Sequence, residues 1–344
     1  MDIVLQILYT VLVLGALIFV HELGHFIAAK ACGVRVTEFA LGMGPAILKK
    51  QGKETLYALR LFPIGGYCAM TGEDEEIKDD PKAMRNKPVW MRMIIVVAGS
   101  VMNLLLGLIL VAIIVCFSNI PSTTVAQFDE NATSVACGLQ VDDEIIAING
   151  NKISDYTDMA TELSRCYNED TVSLTVLRDG QQIILQNVTF PTEQIDEGLS
   201  YPMLDFLVYR AKKTPGVVLR QIFLQTGSYI TSVVNGLVDM ISGRVSLKYV
   251  SGPVGISSVI SEAASYGILS LLSIGALISV NLGVMNMLPL PALDGGRFLC
   301  LIIEAILRRP IPAKVEGIIH AAGLVLLLGL MIIIAFKDIF FPIY

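Results

Sequence analysis

The chain has 344 residues, of which 54% are hydrophobic and 16% charged, with a mean hydropathy of +0.66. Soluble domains carry about 25% charged residues, so this composition belongs to a polytopic membrane protein. The net charge of −6 comes with no basic block and no basic–aromatic interleaving, which leaves nucleic acid without its electrostatic footprint. Six cysteines (Cys32, Cys68, Cys116, Cys137, Cys166, Cys300) are scattered without metal-type pairs, which argues against a cysteine zinc site or a dense disulfide framework.

The first element is an apolar run over residues 3–31. It differs from a secretory signal: it lacks a basic N-terminal region, carries Asp2 instead, and continues into His-Glu-Leu-Gly-His rather than a small-residue cleavage site. It is therefore expected to be a transmembrane helix, in a first segment spanning 1–33. His21, Glu22 and His25 lie inside it. Residues four apart share a helix face, so His21 and His25 can present two imidazoles to one Zn²⁺ while Glu22 acts as general base on the activated water. Ionisable groups at membrane depth are costly, and a cluster of three there marks a functional site in preference to polar side chains packing between helices.

Residues 34–88 form a cytosolic, membrane-associated region. In it 34–39 and 54–61 are β-rich and separated by Gly and Pro turns, which predicts a small sheet. A second span follows at 89–118. Residues 121–193 read as an α+β domain: Gly138 to Gly150 followed by Ile153 resembles a PDZ domain, and 172–177, a turn at Arg178-Asp179-Gly180 and 182–185 supply a hairpin. Asp142 stands where many such domains have Gly, a substitution that the left-handed backbone tolerates. Residues 124–128 match a peptide-terminus clamp poorly.

Residues 194–262 are polar and amphipathic. The stretch 216–241 carries Arg220, Gln221, Gln225, Asn235 and Asp239, which suits interfacial helices better than a span. A third span (266–290, within a segment 263–296), a short loop (297–314) and a fourth span (315–336, within 315–340) complete the chain. Lys and Arg concentrate between the first two spans and between the last two, so both loops are cytosolic and both termini face outward.

Two histidines do not complete a catalytic zinc site, which takes three protein ligands and an exchangeable water. Asp294 is the best third ligand, because prolines halt the chain before it and glycines free the backbone after it. The first and third spans run in the same direction, so both motifs sit at the same depth, in the cytosolic third of the membrane. A fifth span over 216–241 would put Asp294 on the opposite side.

These features resemble the site-2 proteases, intramembrane zinc metalloproteases, in their bacterial one-PDZ form. The likeness rests on the zinc helix, Leu293-Asp294-Gly295, Phe62 to Tyr67, Lys87 to Arg92, Ala98 to Asn103 and Ser251 to Ile256. The family usually has Pro where Ser100 stands. The resemblance implies a four-span α-helical membrane protein of the bacterial inner membrane, with a membrane-associated β-sheet and an extracytoplasmic PDZ-like domain. It also implies Zn²⁺ held by His21, His25 and Asp294, with Glu22 as base and Asn281 and Asn286 helping to hold substrate. Substrates would be single-span proteins already trimmed outside the membrane, such as anti-sigma factors, or remnant signal peptides. The outer domain would exclude bulky ectodomains. Asn103 reads as structural, His320 as a packed histidine without a ligand partner. The rival reading is a non-catalytic membrane adaptor with a structural metal; intact Glu22 beside a three-ligand site weighs against it.

Overall fold

The computed structural model describes residues 3–73, 75, 77, 79–196, 199–245 and 250–340. In chain order the elements are helix α1 (Ile3–Ala31), strands β1 (Val36–Gln51) and β2 (Leu56–Met70), and helix α2 (Val89–Phe117). Next come β3 (Pro121–Phe128), β4 (Glu144–Ile148), β5 (Asn151–Lys152), α3 (Tyr156–Ser164), β6 (Val172–Arg178), β7 (Gln181–Val188), β8 (Thr192–Asp196), β9 (Leu199–Pro202), β10 (Phe206–Arg210) and α4 (Pro215–Ile241). Helices α5 (Pro253–Ser265), α6 (Ile268–Asn286), α7 (Asp294–Leu307) and α8 (Ala313–Phe340) follow. Four helices, α1, α2, α6 and α8, are long and apolar enough to cross a membrane, in line with the four runs read from the sequence. The chain divides into two compact units, Met1–Leu110 with Lys248–Pro342, and Val111–Leu247.

In the first unit, β1 and β2 form the small sheet expected, and more than a simple hairpin. Phe39 pairs with Cys68 on one side and Tyr57 on the other; Glu38–Leu41 run the same way as Leu56–Leu59, and Leu48–Gln51 fold back antiparallel against that second run. The ribbon is thus four runs side by side, with 66–70 along one edge and 46–51 along the other. Gly42 and Gly44 (both φ +85°) and Gly65 (φ +77°) make the bends, in the left-handed region that Gly enters freely. Phe19 of α1 meets Phe39, and Phe26 meets Phe39 and Tyr57, edge to face with centroids 5.2–6.1 Å apart. A buried cluster of Ala29, Val34, Val36, Phe39, Cys68, Met84, Ile95, Val96 and Leu301 ties α1, the sheet, α2 and α7 together. A buried ion pair, Arg92 to Glu304, fixes α7 to α2. The Ser251 to Ile256 motif opens α5, whose Gly252 and Gly255 N–H groups donate to the Asp338 carboxylate of α8 at 2.8 and 3.0 Å. That carboxylate satisfies two of the orphan donors of a helix start.

In the second unit the strand order is β10-β3-β4-β6-β7, with β5 paired to β4. The sheet therefore continues past residue 193, because β10 pairs antiparallel with β3. Its core includes Val125, Ile145, Ile148, Met159, Leu163, Leu174 and Val176. Asp142 has φ +72°, the left-handed backbone expected there. Helix α4 is one continuous helix with its polar side turned inward. Ser228 donates to Asp155, the cap of α3, at 3.0 Å, and Asp239 takes two hydrogen bonds from Arg165 at 2.9 and 3.2 Å. Its exposed stripe is apolar: Leu219, Phe223, Val234, Val238 and Ile241. All six cysteines are free thiols.

Candidate metal centre

The site is built on three elements of the first unit. Helix α1 places His21 and His25 one turn apart, so their rings meet edge to face with centroids 4.8 Å apart. Asp294 is the first residue of α7, where a carboxylate suits the positive end of the helix dipole. The chain arrives there through a tight turn: α6 ends at Asn286, Ala292 takes φ +74°, and Leu293 N–H bonds Leu290 O at 3.2 Å. Gly295 and Gly296 are needed for space, since a Cβ on either would collide with the carbonyls of Met287, Leu288 or Leu290. That differs from the conformational freedom expected of them.

His21 Nε2 lies 3.2 Å from His25 Nε2, and each lies 3.3 Å from Asp294 Oδ2. This is a nearly equilateral triangle of two imidazole nitrogens and one carboxylate oxygen, and His21, His25 and Asp294 make up the group among the described residues. A tetrahedral zinc ion with ligands at about 2.0–2.1 Å has edges of about 3.3 Å. The donor set and its spacing therefore fit zinc, with the fourth vertex left for an exchangeable ligand. Glu22 follows His21 on α1 and so sits beside the group. A Cβ at Gly66 of β2 would stand 3.0 Å from Glu22 Cγ, so the 66–70 edge of the sheet borders Glu22.

Several supports were not legible in the sequence. His25 Nδ1–H donates to Ile95 O of α2 at 2.8 Å, leaving Nε2 for a metal. A Cβ at Gly24 would strike Ala98 O, so this glycine lets α1 and α2 touch backbone to backbone. Gly99 of α2 lies against both imidazoles. Asn103, read as structural, has its amide 3.3 Å from His21 Nδ1. His320, read as packed, accepts the Ala292 N–H on Nδ1 at 3.0 Å and so braces the turn that carries Asp294. Asn286 is the half-buried last residue of α6, and Asn281 is exposed on the same helix; neither joins the triangle.

A metal triangle with two of its ligands on a membrane-length helix defines a class, the membrane metalloproteases, and the comparisons agree. The profile of peptidase family M50 matches residues 9–330. A protein of Clostridium acetobutylicum named as a candidate zinc metalloprotease is 36% identical over 98% of both chains. The zinc metalloproteases RasP of Geobacillus kaustophilus and Bacillus licheniformis are each 28% identical, over 97% of each chain in the first case and 96% of this chain and 97% of the relative in the second. The chain belongs to peptidase family M50, the site-2 proteases. It is a membrane zinc metalloendopeptidase, and its four apolar helices and bacterial relatives fit an inner-membrane protein.

Proposed function

We propose that this enzyme hydrolyses peptide bonds inside transmembrane segments of single-span proteins already trimmed outside the membrane, such as anti-sigma factors, or of remnant signal peptides. The observation that carries this reading is the His21–His25–Asp294 triangle with Glu22 beside it, with His21, Glu22 and His25 on a helix apolar enough to span. His21, His25 and Asp294 hold the metal, and bound zinc supplies Lewis acidity that activates water and polarises the scissile carbonyl. Glu22 takes the proton from the attacking water and passes it to the leaving amine. Asn286, at the end of α6 and across the turn from Asp294, and Asn281 serve to hold the substrate backbone.

A helical substrate hides its carbonyls in internal hydrogen bonds and must unwind before it can be cut. Replacement partners come from the sheet: residues 66–70 pair with β1 on one side, and their other edge, beside Glu22, meets no strand among the described residues and is the side for strand addition, with the Met70 N–H at its end taken by Glu73. The second unit is proposed to be a PDZ-like domain on the extracytoplasmic side. Its support is the Gly138 to Gly150 segment, the sheet around α3 and the lysine–arginine pattern of the loops, and this reading extends the domain from residue 193 to include β10. The outward apolar stripe of α4 supports an interfacial helix.

Cleavage of matched single-span substrates in proteoliposomes tests the mechanism. Gly or Pro near the cytosolic end of the substrate span should speed cleavage, and an unbroken Leu run should slow it. Equal rates would show that unwinding is not limiting and remove the reason for a strand-adding edge.

A further inference from the structure

The nitrogen of His21 that faces the triangle is Nε2, so when His21 binds a metal the ring proton resides on Nδ1 and needs an acceptor. What stands there is the amide of Asn103, on α2, with Nδ2 3.3 Å from Nδ1. Two donors would then face each other. At the same time Asn103 Oδ1 is buried and without a partner among the described residues, in a side chain that is 0% exposed. A half-turn of the amide exchanges the two atoms in place and replaces the meeting of two donors by a hydrogen bond. Oδ1 then meets the Nδ1 proton. The backbone of Asn103 is already fixed, because its carbonyl accepts a hydrogen bond from Ser279 Oγ at 2.7 Å.

We propose that Asn103 is a positioning residue for His21: its side-chain carbonyl accepts the Nδ1 proton and fixes the tautomer and ring orientation that offer Nε2 to zinc. This is the counterpart, for His21, of what the Ile95 carbonyl does for His25. The inference rests on the metal-centre reading of His21, His25 and Asp294.

Zinc affinity of the full-length protein in detergent, measured by competition with a chromogenic chelator, tests it. Asn103→Leu should weaken zinc binding about 10- to 100-fold, the usual effect of losing such a support. Asn103→Asp, an isosteric acceptor, should bind zinc as tightly as the unaltered protein or more tightly. Zinc affinity unchanged in Asn103→Leu would overturn the proposal. So would a weakened Asn103→Asp, because that result means the residue donates to His21 or only packs; this variant decides the matter even if Asn103→Leu does not fold. Failure of the unaltered protein to bind zinc would instead overturn the metal centre itself.

Discussion

Gly99 faces His25 so closely that a Cβ at this position would overlap Nε2 and stand 2.8 Å from His21 Cε1. The glycine clears the space in which the two imidazoles converge. Gly99→Ala should therefore displace both rings and lower zinc affinity about 10- to 100-fold, a change comparable to losing a ligand support. Gly15→Ala, on α1 with nothing within 4 Å of its Cβ, makes a similar gain in helix propensity and should leave zinc binding unchanged. Equal affinity in the two variants would remove Gly99 from the account.

His320 braces the Ala292 turn from a different helix. Ala292 holds a left-handed conformation without being Gly, a strained state that persists only when its surroundings over-determine it. His320→Leu removes the acceptor for its N–H and should weaken zinc binding by about 10-fold through a looser Asp294. His320→Gln, which keeps an acceptor oxygen, should lose less. Chelator competition measures both, and a His320→Leu protein with unaltered zinc affinity would show that the turn holds itself.

The open edge of the sheet can be probed by proline, which removes an N–H that an added strand needs. A proline within residues 66–70, at a position whose N–H points away from β1, should cut turnover of a helical substrate while leaving zinc bound. Turnover equal to that of the unaltered enzyme would show that substrate does not add to this edge.

Asp143 makes a prediction about the second unit alone. Its carboxylate is fully buried, takes two hydrogen bonds from Arg178 at 2.7 Å and one from Gln140 N–H at 2.9 Å. Asp143→Ala should destabilise that unit by about 1.5–3 kcal/mol, the range for losing hydrogen bonds to a charged group, since the partly exposed Arg178 can rehydrate. Limited proteolysis over a urea series reads this loss, and zinc content should not change, since every metal-centre residue lies in the other unit.

What could be read in the sequence was what local periodicity encodes. His21, Glu22 and His25 fall on one helix at a spacing that geometry alone makes meaningful, and Asp294 followed from a break in an apolar run combined with topology. The supports were hidden because they depend on how helices meet. Gly24 and Gly99 matter only where α1 lies on α2, Asn103 only where its face meets His21, and His320 only where α8 passes the Ala292 turn. The sheet was underestimated for a related reason: its glycine bends at 42, 44 and 65 double each strand back, and that pairing is set by register over distance rather than by residue type. The β10–β3 pairing joins strands far apart in the chain, and no local pattern announces it.

The central claim is that His21, His25 and Asp294 bind zinc while Glu22 moves the proton. Zinc content and cleavage of a tagged single-span substrate, measured together on Glu22→Gln and on the Ala variants of the three ligands, test it most directly. The account predicts that Glu22→Gln keeps its zinc and loses cleavage, and that His21→Ala, His25→Ala and Asp294→Ala lose both. Full zinc in the Asp294 variant, or cleavage by Glu22→Gln at the unaltered rate, would contradict it.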